Sequence, residues 1–175
     1  MIAITRWYGV EGAAVYGKYL LALLVVRVFV LFSKLGTDVT LLRFVSSFNS
    51  NQDQSKIISL YRKILIIVFP LSICRSLIMF FKFDYISNLV GAQPQHIKLL
   101  SFIIVPAVLF YLNIQCFRGL KKISLYSFFN ELSISFFTLL LLLISSLYFK
   151  EHLVKHSIVP VYAYFLSIII VSLSA

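Results

Sequence analysis

Two arginines lie in the middle of strongly apolar stretches of the chain. Arg27 is near the centre of residues 16–34, and Arg75 falls within residues 64–81. A charge at the centre of a bilayer costs at least about 2.5 kcal/mol even on the mildest insertion scale, so it should face a bundle interior or a wet cavity. A guanidinium in such a place can hold a phosphate group through charge-assisted hydrogen bonds. We therefore interpret Arg27 and Arg75 as cations of a shared polar cavity. The alternative is that each snorkels or pairs with a neighbouring helix.

Further polar side chains extend this pattern. Lys34 is seven residues after Arg27, which places it about 10 Å along the same helix face. It could lengthen the cationic stripe or anchor the helix at the membrane interface. Asn113 and Gln115 interrupt an apolar run at residues 99–117. They are predicted either to line a polar path or to hydrogen-bond between helices, which is the commoner role.

Other reactive side chains form no catalytic pattern. His152 and His156 are four residues apart and follow Glu151, a spacing that suits a metal pair on a helix. They lie in a short predicted loop without a third ligand, so we expect no metal there. Cys74 and Cys116 fall within apolar runs, where a thiol behaves as a small hydrophobe. With no triad-like set and no phosphate-binding glycine loop in the sequence, we expect neither an enzyme nor a bound cofactor.

The composition indicates which elements carry these residues. Of the 175 residues, 61% are apolar and only 13% are charged, a balance far from that of soluble domains. Pro70 and Pro106 fall within apolar runs, where they could kink a helix. We predict an all-α, polytopic membrane helix bundle, a single domain over residues 1–175. Its transmembrane helices, about five in number, are predicted at about residues 16–34, 64–81, 99–117, 132–149 and 157–175.

The polar segment 35–63 joins the first two predicted spans. Gly36 can end the first span, and Thr37 or Asp38 can cap a short helix after it. We expect Asp38 and Arg43 to hold this segment as a capped, paired unit. The helix is predicted to be amphipathic and to lie at the membrane surface. One face would carry Leu41, Leu42, Val45 and Phe48, and the other Thr40, Arg43, Ser47 and Ser50.

Basic residues set the expected orientation. The net charge is +10, but the basic residues occur singly or in pairs between apolar runs. This favours contact with anionic lipid head groups and argues against a nucleic-acid partner. If residues 35–63 are cytoplasmic, that side holds eight basic residues and the other side six. We therefore expect a multi-pass protein of the cytoplasmic membrane with its N-terminus outside and its C-terminus in the cytoplasm.

Three segments resemble the amino-terminal half of the polysaccharide flippases of the multidrug/oligosaccharidyl-lipid/polysaccharide exporter superfamily. They read RWYGVEGAAVYGKYLLALLVV, KLGTDVTLLRFVSSFNSNQDQSK and FRGLKKISLYSFFNEL, with the Arg75-bearing span between the last two. In that family a cytoplasmic segment similar to Gly-x-Asp-Thr-x-Leu-Leu-Arg follows the second helix. Its positions are held here by Gly36, Asp38, Leu41, Leu42 and Arg43, with Thr40 near the expected Thr. The resemblance covers about residues 5–147.

The resemblance implies a transport function. Such flippases have two helical lobes around a central cavity and move undecaprenyl-type lipid-linked oligosaccharides outward by alternating access. This chain would correspond to helices two to six of the amino-terminal lobe, as expected for a truncated gene product. Its partners would be membrane lipids, the lipid-linked oligosaccharide, and the missing lobe or another membrane subunit. Two alternatives remain open. A multidrug exporter would be favoured by carboxylates deep in a span, which the predicted spans lack, and a non-transporting accessory subunit would pack against a partner.

Overall fold

The computed structural model of the protein describes residues 12–148 and 159–174. Within these ranges the secondary structure is helical and no strand occurs, so the predicted all-α class is confirmed there. The helices are α1 (Gly12–Lys34), α2 (Thr37–Ser50), α3 (Gln54–Phe81), α4 (Phe83–Val90), α5 (Pro94–Ser101), α6 (Ile104–Gly119), α7 (Ile123–Ser127), α8 (Ile134–Tyr148) and α9 (Val159–Ser174), with a π-helical segment (Phe128–Ser133) between α7 and α8.

Two helices are long and apolar enough to cross a bilayer. They are the part of α1 from Tyr16 to Lys34, with 19 residues, and α3, with 28 residues. At 1.5 Å per residue, α3 rises about 42 Å, more than the roughly 30 Å of a hydrocarbon core. It begins ten residues before the apolar run 64–81, because residues 54–63 contain no glycine or proline to end the helix. Apolar helices of this kind indicate a membrane-embedded protein.

Further crossings depend on helix pairs that are bent. α5 and α6 meet at 54°, and Ile123–Asn130 meets Ile134–Ile144 at 41°. Counting each pair as one crossing raises the number of candidate spans from two to four. α9 has 16 residues, fewer than the roughly 20 that a crossing needs. The described residues therefore contain two to four candidate membrane-spanning helices, where the sequence predicted about five.

Pro106 explains the break between α5 and α6. A proline lacks the N–H of a helical residue, and its ring clashes with the carbonyl four residues earlier, which here belongs to Phe102. Helix α5 ends at Ser101 and α6 begins at Ile104. Pro106 thus falls in the first turn of α6, where a missing donor is tolerated. Pro70, by contrast, lies inside α3, which continues through it.

Helix α6 is central to the packing and contacts α1, α2, α3 and α9. Its C-terminal end receives α2, whose Leu41 and Val45 are fully buried. A Cβ atom at Gly119 would lie 2.8 Å from Cγ1 of Val45, so the two helices can approach this closely only because Gly119 has no side chain. The apolar face of α2, predicted to rest on the membrane surface, is in part packed on protein.

The start of α2 differs from the sequence prediction. Gly36 occupies the N-cap position in the left-handed conformation (φ 74°), and no side chain caps the helix. Thr37 and Asp38, the predicted caps, lie in the first turn. The Thr37 hydroxyl instead donates a hydrogen bond back to the Lys34 carbonyl at 2.6 Å. A glycine suits this turn because the left-handed conformation costs it little.

Candidate functional site

Arg27 lines a cleft whose walls come from four helices and the π-helical segment. The cleft has a volume of about 450 Å³, within the range of pockets that hold small molecules or head groups. We term it the Arg27 cleft. Its lining residues are Tyr16, Tyr19, Leu20, Leu23 and Arg27 of α1, Tyr111 of α6, Asn130 of the π-helical segment, Ile134, Ser135, Thr138, Leu139 and Leu142 of α8, and Tyr164 of α9.

One face of α1 carries Arg27 into this cleft. Tyr16, Tyr19, Leu23 and Arg27 are spaced by three or four residues, so they share that face. Tyr19 and Leu23 are buried against neighbouring helices, whereas Arg27 is exposed to the cleft. The spacing was visible in the sequence and could have identified Tyr16 and Tyr19 as neighbours of Arg27.

Four tyrosines line the Arg27 cleft. The ring centroid of Tyr19 is 6.4 Å from that of Tyr164, in an edge-to-face arrangement, and 6.3 Å from that of Tyr16. Tyr111 approaches from α6. Edge-to-face contacts are the favourable arrangement of aromatic pairs, and each phenol can donate one hydrogen bond. Sequence reasoning missed Tyr111 and Tyr164, because only the packing of distant helices brings them beside α1.

Polar side chains also line the Arg27 cleft from α8 and the π-helical segment. The hydroxyls of Thr138 on α8 and Ser167 on α9 are 2.9 Å apart, within hydrogen-bonding distance. Ser135 and Asn130 line the cleft nearby. Asn130 belongs to the π-helical segment, and such segments occur frequently at functional sites. The cleft therefore combines one cation with several neutral hydrogen-bonding groups.

This arrangement suits an anion. Among the side chains that the structure describes, no carboxylate lines the Arg27 cleft, and the ion pairs that they form join other residues. A guanidinium in a cleft that also offers phenols and hydroxyls can bind phosphate by charge-assisted hydrogen bonds. Because a charge inside a span is costly, its retention there favours a functional role.

Arg75 lies elsewhere, so the predicted shared cavity is not formed by the two arginines. Its guanidinium carbon is 5.7 Å from the ring centroid of Phe32, and Arg75 is not among the residues lining the Arg27 cleft. Phe32 is five positions after Arg27, which turns it about 140° around α1. Arg75 therefore approaches a different face of α1 and makes a cation–π contact there.

Lys34 links three parts of the bundle. Its ammonium lies 2.9 Å from a carboxylate oxygen of Asp38 and 4.9 Å from the ring centroid of Tyr111. Asp38 therefore pairs with Lys34 and not, as predicted, with Arg43, which is exposed. Partial burial works against the charged form of Asp38, but the Lys34 ammonium outweighs it. The pKa of the Asp38 carboxyl consequently lies below its usual value.

Asn113 joins two helices. Its side-chain carbonyl accepts a hydrogen bond from the hydroxyl of Tyr61 on α3. Of the two roles considered for Asn113, this contact is the hydrogen bond between helices and not the lining of a polar path. Gln115 is half-buried on the same helix. Neither residue is among those lining the Arg27 cleft.

His96 on α5 is a polar residue that the sequence did not single out. Its side chain is fully buried, and neither ring nitrogen has a hydrogen-bond partner among the described residues. A buried polar atom without a partner costs about 1–3 kcal/mol. Nothing in its local sequence distinguishes it from a solvent-exposed histidine, since its burial arises from the packing of α5.

Comparisons with known proteins leave the site to be interpreted on its own geometry. A scan against protein-family models, a search of curated proteins and a search of solved structures find no match to this chain. His152 and His156, where the sequence predicted no metal site, lie with Glu151 outside the residues that the structure describes.

Proposed function

We propose that this chain is a polysaccharide-export protein, a flippase component that carries lipid-linked oligosaccharides across the bacterial cytoplasmic membrane. In this proposal five helical crossings form part of one lobe, with the N-terminus outside and the C-terminus in the cytoplasm. A second lobe or another membrane subunit completes the transport pathway. The substrate class comes from the resemblance of the sequence to polysaccharide flippases.

The observation that carries the proposal is the position of Arg27. Lipid-linked oligosaccharides carry a pyrophosphate between the lipid and the sugar, and a guanidinium pairs well with phosphate oxygens. Arg27 offers such a group inside a cleft whose other donors are neutral phenols, hydroxyls and an amide. The described side chains that line this cleft include no carboxylate to couple transport to a cation, which favours this substrate over the drugs of a multidrug exporter.

Arg27→Ala and Arg27→Lys test the proposal. A hydrogen bond to a charged group contributes about 1.5–3 kcal/mol, so Arg27→Ala should reduce transfer by about 10- to 150-fold. Lys retains the charge but loses the forked geometry, so transfer by Arg27→Lys should lie between that of the wild type and that of Arg27→Ala. Removing a charge from a span lowers the cost of insertion, so a loss of transfer would not reflect poor insertion.

The full chain would be purified with the membrane subunit that completes the pathway and reconstituted with it into liposomes containing a fluorescent lipid-linked oligosaccharide, and transfer would be measured by quenching of the outer leaflet. Arg62→Ala is the matched control, since Arg62 is an exposed arginine of α3 away from the Arg27 cleft. Equal transfer by wild type and Arg27→Ala would remove the role of the cleft. Transfer by the wild-type chain together with its copurified membrane subunit that is no faster than in empty liposomes would support the accessory-subunit alternative instead.

A further inference from the structure

A second cleft lies where α2 meets the turn between α6 and α7. It has a volume of about 660 Å³, and we term it the basic cleft. Among its described lining residues three are basic and none is acidic. The lining residues are Leu42, Arg43 and Ser46 of α2, Arg118 of α6, and Lys121, Ile123 and Tyr126 of the following turn and α7.

The positive charge of the basic cleft is not neutralised by the carboxylates beside it in the sequence. Asp38 and Asp53, which flank the body of α2, are each paired with another lysine. Arg43, Arg118 and Lys121 are exposed and form no ion pair with any side chain that the structure describes. Three like charges around one volume repel one another, and a bound anion would relieve that repulsion.

The fold holds these cations in place. The Arg118 guanidinium lies 5.4 Å from the ring centroid of Tyr126, a distance at which a cation–π contact orients it. On the other side, the close approach of Val45 to Gly119 fixes α2 and thereby sets Arg43 across the cleft. The cations thus come from two helices that are locked together.

Lys121 occupies a position where glycine is usual. The N–H of Lys122 donates to the Phe117 carbonyl at 3.0 Å, and the N–H of Lys121 donates to the Arg118 carbonyl at 3.1 Å. This pair of bonds is a Schellman motif, which places its fifth residue in the left-handed conformation. Lys121 has a φ of 60°, which strains any residue with a Cβ. Strain retained at a specific side chain points to a role for that side chain.

The mouth of the basic cleft is apolar. Of its lining residues, Ile123 is 68% exposed, and Tyr126 and Leu42 are half-buried. A free phosphate ion has no apolar part that could contact these side chains. A phospholipid would place its phosphate among the cations and its acyl region against the apolar side chains. Basic pockets at the membrane surface of helical proteins recognise head groups in this way.

We propose that the basic cleft binds the phosphate of an anionic phospholipid head group at the membrane surface. The site is separate from the Arg27 cleft and does not depend on a transport function. Arg43, Arg118 and Lys121 supply the positive charge, and Ile123 and Leu42 contact the lipid beyond its phosphate.

Binding would be measured on the full chain in neutral detergent, using a fluorescent short-chain phosphatidylglycerol as the probe. Arg43→Gln, Arg118→Gln and Lys121→Asn should each weaken binding by about fivefold, the effect of one basic residue near a lipid surface. Arg62→Gln and Lys63→Asn make the same charge changes at exposed positions of α3 and should leave binding within about twofold of wild type.

A further variant separates binding from folding. Lys121→Gly relieves the left-handed strain and should raise the unfolding temperature while weakening lipid binding as much as Lys121→Asn does. Equal weakening by cleft and control variants would overturn the proposal, as would equal affinity for phosphatidylcholine. Displacement of the probe by an equal concentration of inorganic phosphate would overturn the lipid as the source of the phosphate and indicate a soluble anion.

Discussion

The contact between Gly119 and Val45 makes Gly119→Ala a direct measure of how tightly α2 is seated on α6. The added Cβ would lie 2.8 Å from Cγ1 and 2.9 Å from Cβ of Val45. Rotation of the Val45 side chain cannot move its Cβ, and a β-branched residue in a helix has one strongly preferred rotamer. The backbone of α2 must therefore shift away from α6.

The expected sign is opposite to that of an ordinary helical substitution. Glycine to alanine in a helix normally stabilises by about 0.5–1 kcal/mol, whereas overpacking a well-packed contact costs about 1–3 kcal/mol. Gly119→Ala should therefore destabilise the protein by about 1 kcal/mol. On the scale of soluble domains of this size, that lowers the unfolding temperature by about 2–4 °C.

Gly17→Ala is the matched control, because Gly17 lies within α1 and a Cβ there would meet no atom within 4 Å. It should raise the unfolding temperature in detergent while Gly119→Ala lowers it. Hydrogen exchange should locate the effect, with faster exchange of the α2 amides in Gly119→Ala and unchanged exchange in α1. An increase in unfolding temperature for both variants, or unchanged exchange in α2, would refute the close packing of α2 on α6.

Individual contacts elsewhere lead to three further expectations. His96→Leu should leave the unfolding temperature unchanged or raise it, because both buried ring nitrogens lack partners and leucine needs none. Tyr61→Phe should destabilise by about 1 kcal/mol, since it leaves the Asn113 carbonyl without its donor. The lowered pKa of Asp38 should stabilise the protein above the unfolded value of about 3.9. This stabilisation should be lost as pH falls through the folded pKa, and Asp38→Asn should remove that part of the acid transition.

Each of these results has a control or a contrary outcome. A clear loss of stability in His96→Leu would show that the ring nitrogens have a partner. Tyr85→Phe alters an exposed tyrosine, so an effect equal to that of Tyr61→Phe would argue against the hydrogen bond to Asn113. Asp53→Asn breaks a more exposed pair. It should change the acid transition less than Asp38→Asn does, and an equal change would contradict a special role for Asp38.

The sequence predicted those parts of the fold that depend on local patterns. The apolar run of α1 and the central run of α3 are long enough to identify by composition alone. The spacing of Leu41 and Val45 placed them on one face of α2, and both are buried. Helix ends were less predictable. Helix α3 begins ten residues before its apolar run, and α5 is separated from α6 because the ring of Pro106 would clash with the carbonyl of Phe102.

The candidate site could be predicted only in part. A guanidinium within an apolar run distinguished Arg27, because its burial in lipid would be costly. The same rule applied equally to Arg75, yet Arg75 meets Phe32 on another side of α1. The sequence does not tell which side of α1 each neighbouring helix occupies. For the same reason Tyr111 and Tyr164 could not be assigned to the site.

The 54° bend between α5 and α6 ties this part of the molecule to bilayer thickness. If the axis of α6 is parallel to the bilayer normal, its 16 residues rise about 24 Å across the bilayer. The eight residues of α5 are about 12 Å long and add about 7 Å at that angle. Together they match a hydrocarbon core of about 30 Å. In a thicker, sterol-rich bilayer α5 and α6 can span more of the hydrocarbon core only by straightening, which adds at most about 5 Å to their combined length along the normal. The bent pair can therefore adapt to a thicker membrane only until the two helices are collinear.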